Sequence, residues 1–256
     1  MDLGRYHQAD FDRALSRNLG ALTRNKISSD KPQAILLGGQ SGAGKTTIHR
    51  IKQKEFQGNI IIIDGDSFRP QHPNYLSLQK KYGKDSVNYT KGFAGAMVEV
   101  LVDELSQRGY HLLIEGTLRT VEVPESTATL LKKRGYMVSL AIMATKPELS
   151  YLSTQLRYQE LYSKDPNQAR ATPKEHHDLI VDNLVENLRA LEEAETFDRI
   201  QLYHRDKQCL YDSERDHGSA SRILQETLFG NWTLVEKAML EMEESQLRVL
   251  RQKNET

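Results

Sequence analysis

Residues 32–47, PQAILLGGQSGAGKTT, constrain the fold more than any other stretch. An apolar run of strand composition enters glycines, and Gly39 to Thr46 then fits G-x-x-x-x-G-K-[ST] at every fixed position. Glycines let the backbone wrap around phosphate oxygens so that successive N–H groups point inward. The N-terminus of the following helix adds positive potential. The loop Gly39, Gln40, Ser41, Gly42, Ala43, Gly44, Lys45, Thr46 and Thr47 is therefore assigned to ATP. Lys45 is expected at the β- and γ-phosphates, and the Thr46 hydroxyl on Mg²⁺. A strand before the loop and a helix after it set the match apart from a chance Gly-rich turn.

The rest of the chain continues that pattern. NIIII, YHLLIEG, YMVSLAIMA and DRIQLYH are four more apolar runs, with helical periodicity between them. Unalternated strands separated by helices predict an α/β P-loop kinase fold, with a parallel five-stranded sheet covered on both faces. Phe11, Leu15, Leu19 and Leu22 predict a helix over 10–24, capped by Asp10, within an N-terminal helical segment 1–31. Phe93, Met97, Leu101 and Leu105 mark another helix. Thr145 to Glu148 and Thr172 to Glu175 match the capping box, predicting helices from about Pro147 and Pro173 and a helical lid region over 147–175. The stretch 69–91 lacks helical period and carries Lys80, Lys81, Lys84 and Lys91, which reads as a loop insertion able to meet an anionic acceptor. Residues 233–256 form a charged C-terminal helical appendage with Val235, Met239 and Met242 on one side. No repeat or linker interrupts the chain, so 1–256 is expected to be a single domain.

Composition narrows the setting. The 256 residues suit one α/β domain, and a formal net charge of +0 removes any global electrostatic argument for nucleic acid or acidic membranes. A single cysteine, Cys209, allows no internal disulfide and fits a reducing cytosol. No signal peptide is visible, and no stretch reaches the roughly 18–20 apolar residues of a membrane span. The expectation is a soluble, cytoplasmic protein without membrane or nucleic-acid partners.

IIIIDGDSFRPQHP, residues 60–73, places two carboxylates at the mouth of a very apolar strand. In open parallel sheets ligands bind beyond the carboxyl ends of the strands, so the phosphate loop, Asp64, Asp66 and Glu115 are expected around one crevice. A phosphoryl acceptor needs its hydroxyl oriented and its proton received. Asp66 is the better base, whereas Asp64 reads as a cap, a turn former or a water-bound support near Mg²⁺. Glu115 reads either as a second candidate for the role of base or as the acidic partner of Mg²⁺. Arg157 and Arg170 flank a helix–loop–helix where small-molecule kinases carry a mobile lid with arginines. HRDKQCLY, from His204, mimics a protein-kinase catalytic loop but has Tyr211 where Asn is required, and reads as a strand followed by a turn. His176, His177 and Asp178 have no standard metal spacing and read as a solvated helix start.

GGQSGAGKTT, IIIIDGDSFRPQHPNY, LLIEGTLRT and RYQELYSKDPNQARATP together resemble the zeta toxins of epsilon–zeta toxin–antitoxin systems, from about Gln33 through His204. The resemblance implies a kinase that uses ATP and Mg²⁺ to phosphorylate the 3′-hydroxyl of the amino sugar of UDP-N-acetylglucosamine, blocking cell-wall synthesis. It implies Asp66 as base, Lys45 and Thr46 on the nucleotide, and Arg157 and Arg170 on the γ-phosphate. Substrate contacts fall on Asp66, Glu99, Glu115, Thr117, Arg119 and Thr127. The partner it implies is a small helical antitoxin that occludes the nucleotide site. Glu99 lies nearly opposite the apolar stripe of its helix, so the pattern alone reads it as solvated surface, and only the resemblance moves it to the site. The rival readings are a kinase of another small hydroxylated compound, such as an antibiotic or nucleoside, and an ATP-gated binding module.

Overall fold

The structure is a computed structural model that describes residues 3–166 and 169–255. Asn167 and Gln168 of the arginine-bearing stretch, and the chain's first two residues and last one, lie outside the described residues.

In chain order the elements are α1 (Gln8–Leu22), β1 (Gln33–Gly38), α2 (Thr46–Glu55), β2 (Ile61–Ile63), α3 (Gly65–Phe68), α4 (Tyr75–Tyr82), α5 (Val87–Gln107), β3 (Leu112–Glu115), α6 (Glu122–Lys133), β4 (Met137–Met143), α7 (Pro147–Lys164), α8 (Lys174–Glu193), β5 (Arg199–Tyr203), β6 (Cys209–Asp212), α9 (Ala220–Phe229) and α10 (Leu234–Glu255). The sheet runs β2-β3-β1-β4-β5-β6. The first five strands are parallel and β6 is antiparallel to β5. In β1, Ala34 and Leu36 enter one apolar cluster while Ile35 and Leu37 enter the other, so the strand is buried on both faces. That two-sided burial is why its sequence does not alternate. Leu37 pairs with Glu115, and Gly38 with Ile142, which brings the carboxyl ends of the three central strands level.

Several expectations are corrected. The sheet has six strands, because HRDKQCLY turns back as a hairpin, with the His204 N–H donating to the Gln208 carbonyl at 2.9 Å. A four-residue edge strand of mixed polarity, CLYD, has no apolar run to announce it. The stretch 69–91 is helical, not a loop: α4 buries Tyr75, Leu78 and Gln79, one turn of contacts too short to register as a period. Helix α1 starts at Gln8 after His7, and Asp10 sits in its first turn, paired with Arg13. Neither threonine builds a capping box. The residues preceding α7 and α8 are Lys146 and Pro173, without side-chain caps, and the Thr145 hydroxyl donates to the Ala43 carbonyl at 2.8 Å.

Helix α10 is packed along α7 rather than appended. Its buried residues are Glu236, Glu243 and Leu247, while Val235 and Met242 are exposed. The joint is polar: Ser153 donates to Glu243, Arg251 to Gln155, and Asn254 to Gln159. Such a seam leaves no apolar stripe in the sequence. Among the described residues no helix is long and apolar enough to cross a membrane.

Candidate active site

The phosphate loop is shaped by three glycines with positive φ: Gly39 at 125°, Gly42 at 76° and Gly44 at 97°. Gly42 is the tightest, since a Cβ there would lie 2.0 Å from the Ser150 carbonyl oxygen and 2.8 Å from Thr154 Cγ2. The first turns of α7 therefore press directly on the loop. Gln40 is fully buried beneath it and donates through Nε2 to the Thr145 carbonyl at 2.7 Å and to Ser150 Oγ at 3.1 Å. His177 Nε2 lies 2.8 Å from the same Ser150 hydroxyl. His177 is buried, not part of a solvated helix start, and burial pushes its pKa down against the opposing pull of Asp178. Arg205 runs along Gly44 and is held by Glu243 at 3.0 Å and Ser153 at 2.9 Å.

Lys45 precedes α2 and donates to the Gly39 carbonyl at 3.0 Å and the Gln40 carbonyl at 3.4 Å. Glu115, at the end of β3, lies 3.6 Å from Lys45 Nζ and 2.9 Å from His49 Nε2. Burial raises the Glu115 pKa, but His49 and Lys45 outweigh it and hold the carboxylate below its ordinary value. His49 follows Lys45 by four residues and so shares its helix face, a spacing that would have flagged it in the sequence.

Beyond β2 the chain turns at once into α3. Asp64 is its N-cap and accepts from the Asp66 N–H at 3.0 Å, which realises the cap reading of that residue. Burial and repulsion from Glu115 raise the Asp64 pKa. Gly65 fits because a Cβ there would already meet Val98 Cγ2 of α5 at 3.3 Å. Asp66 is exposed and receives the Arg69 Nε–H at 2.6 Å. Loss of water to the surrounding protein pushes its pKa up, but Arg69, followed by Arg170 and Arg157, pulls it below the ordinary carboxylate value. Arg157 on α7 and Arg170 just before α8 thus act electrostatically on the same carboxylate.

The other predicted residues are spread around this centre. Thr46 is exposed at the first position of α2. Thr117 backs the phosphate loop, its carbonyl accepting from the Gly39 N–H at 3.4 Å. Arg119 is exposed in the same segment, and its charge, with those of Arg69 and Asp66, acts on His176. The Thr127 hydroxyl is turned onto its own helix, donating to Val123 at 2.9 Å. Glu99 stands exposed on α5 and, among the described residues, takes no part in the ion pairs around Asp66 and Glu115. Arg69 and His176 are site neighbours that periodicity did not single out.

A sequence model of the zeta toxin family, described as "Zeta toxin", matches residues 19–216. The chain belongs to the zeta toxin family. It is 66% identical to Toxin PezT of Streptococcus pneumoniae serotype 4 over 253 residues, covering 99% of this chain and 100% of that one. It is 44% identical to Toxin zeta of Streptococcus pyogenes over 203 residues, covering 79% of this chain and 71% of the relative. Among solved structures, one from the PezAT chromosomal toxin–antitoxin system of Streptococcus pneumoniae superposes with a TM-score of 0.92 at 64% identity, covering 98% of this chain and 100% of that one. A chain of the AvrRxo1-ORF1:-ORF2 complex with ATP superposes at 0.61 with 13% identity, covering 99% and 87%, which speaks to the fold alone. The family match ends before α9, so the helix that braces Arg205 lies outside the matched span.

Proposed function

We propose that this zeta toxin family member is a kinase that transfers the γ-phosphoryl group of ATP to the 3′-hydroxyl of the amino sugar of UDP-N-acetylglucosamine. Acting as the toxin of a toxin–antitoxin system in the cytoplasm, it would block cell-wall synthesis until a small helical antitoxin restrains it. The observation that carries the chemistry is an exposed carboxylate, Asp66, at the mouth of the strand two places from the phosphate loop, paired with Arg69 at 2.6 Å and within the electrostatic reach of Arg170 and Arg157. The acceptor and the antitoxin rest on the family resemblance and on the PezAT relative.

In this reading the loop N–H groups and Lys45 hold the triphosphate, and Arg157 and Arg170 neutralise charge on the moving phosphoryl group. The sugar hydroxyl gives its proton to Asp66 as its oxygen bonds to phosphorus. The bond to the bridging oxygen breaks and ADP leaves. Glu99, Glu115, Thr117, Arg119 and Thr127 are assigned to the sugar nucleotide. Mg²⁺ would be held with the phosphates by the Thr46 hydroxyl and would offset their charge. The Thr46 hydroxyl and the carboxylates Asp64 and Glu115, near enough that Glu115 adds to burial in raising the Asp64 pKa, are hard oxygen donors of the kind that ion takes.

The test is to incubate the protein with ATP, Mg²⁺ and a panel of UDP-N-acetylglucosamine, other sugar nucleotides, nucleosides and aminoglycosides, and to read the products by mass spectrometry. A product heavier by one phosphate from UDP-N-acetylglucosamine alone supports the proposal. Phosphorylation of another compound in its place overturns the acceptor assignment but keeps the kinase.

A further inference from the structure

We infer that Arg69 is the positioning residue of this site, a partly buried fork that fixes the Asp66 carboxylate and ties it to the helix carrying Glu99. The inference rests on the kinase reading above and deepens it. It starts from a disparity in burial: the Asp66 side chain is 58% exposed whereas that of Arg69 is 19% exposed. A carboxylate on a four-residue helix at the surface is free to rotate, so its aim must come from the more buried partner.

Arg69 divides its donors accordingly. Nε donates to Asp66 Oδ1 at 2.6 Å, while Nη1 donates to the Val87 carbonyl at 2.9 Å and to Thr90 Oγ1 at 3.2 Å. Thr90 is itself 1% exposed, so the anchoring end lies in the fold and not in solvent. Val87 and Thr90 form the first turn of α5, and Glu99 lies further along that helix. The contact also ties the start of the helical stretch 69–91, at Arg69, to the first turn of α5 near its far end.

The main chain of Asp66 is held from the other side by the Asp64 cap and by Gly65 against Val98. Only the side-chain torsion remains to be set, and Arg69 sets it. Oδ1 is occupied by the guanidinium. Oδ2 accepts no hydrogen bond among the described residues, which leaves it to take the acceptor's proton. A lysine at this position keeps the charge but has no planar fork with which to span Asp66 and Val87 together.

The experiment is a double-mutant cycle of wild type, Asp66→Ala, Arg69→Ala and Asp66→Ala/Arg69→Ala, with Arg69→Lys alongside. It is read as kcat and KM for ATP, with and without added guanidinium. Misplacing a reacting group by about 1 Å can cost about 10²-fold, so Arg69→Ala should lower kcat by about that factor with the KM for ATP within about twofold. Guanidinium should restore part of it, and Arg69→Lys should remain at least about tenfold down. The double variant should be no slower than Asp66→Ala, because Arg69 acts through Asp66. Additive losses, no guanidinium rescue, or near-wild-type turnover in either Arg69 variant overturns the inference. If Arg69→Ala does not fold, Arg69→Lys decides the matter by the same kcat criterion. Failure of the kinase reading shows separately, as absent transfer in wild type or normal transfer in Asp66→Ala. In the first case the same cycle is run on ATP hydrolysis, where water takes the acceptor's place.

Discussion

Replacing Gly42 by alanine asks how tightly the phosphate loop is built against α7. Gly42 has φ 76°, where a Cβ costs about 1–2 kcal/mol, and that atom would lie 2.0 Å from the backbone oxygen of Ser150. A backbone atom cannot rotate away as a side chain can, so the loop or the first turn of α7 must move. Overpacking of this kind costs a further 1–3 kcal/mol or so. Gly58, in the turn before β2, supplies the control. Its φ is similar at 83°, but nothing lies within 4 Å of the atom added there. Gly58→Ala therefore carries only the backbone penalty of about 1–2 kcal/mol, against about 2–5 kcal/mol for Gly42→Ala. At about 2–4 °C per kcal/mol, thermal denaturation should place Gly42→Ala about 4–20 °C below wild type and Gly58→Ala only about 2–8 °C below. Calorimetric titration with ATP should show binding weakened at least tenfold in the first and unchanged in the second. Gly42→Ala with wild-type affinity and the melting point of Gly58→Ala would refute the reasoning, since the loop would then have slack that the contact with Ser150 denies.

Two other results are expected. Arg157→Ala and Arg170→Ala should each lower kcat by about 10²–10³-fold while the Kd for ATP moves little, and a loss confined to Kd would place these arginines on the ground-state nucleotide instead. Asp212, hydrogen-bonded to Arg199 at 2.9 and 2.6 Å, has its pKa pulled down to about 2, with Arg199 the largest cause and burial opposing. A depressed carboxylate stabilises the fold above its ordinary value near 4 and loses that contribution as pH falls toward 2. Asp212→Asn should thus be about 2 kcal/mol less stable than wild type in urea at pH 7, with the gap closing by about pH 2, and a gap that stays constant across that range contradicts the assignment.

The parts of this molecule that could be read from its sequence are those where one local pattern carries the whole instruction. The phosphate loop is such a case, because its glycines and Lys45 are contiguous. The five parallel strands are another, because burial on both faces leaves unbroken apolar runs such as NIIII. The rest depends on contacts between distant segments. CLYD becomes a strand only because β5 offers an open edge to the residues that follow His204. Thr145 looks like a cap but is drawn to the Ala43 carbonyl by the fold. His177 looks solvated until α8 is laid against Ser150. Arg69 is one of many surface-type arginines until the first turn of α5 is placed beside it. Glu99 remains exposed, and its assignment to the site comes from the family resemblance alone.

The most direct test of the account is a single-turnover comparison of wild type and Asp66→Ala, each loaded with ATP and Mg²⁺ and mixed with UDP-N-acetylglucosamine. Bound nucleotide and phosphorylated sugar nucleotide are measured in the same samples. The account predicts that Asp66→Ala retains ATP within about twofold of wild type and loses transfer by at least about 10²-fold. Transfer at the wild-type rate in Asp66→Ala would contradict it, because the carboxylate that Arg69 holds at the strand mouth would then have no part in the reaction.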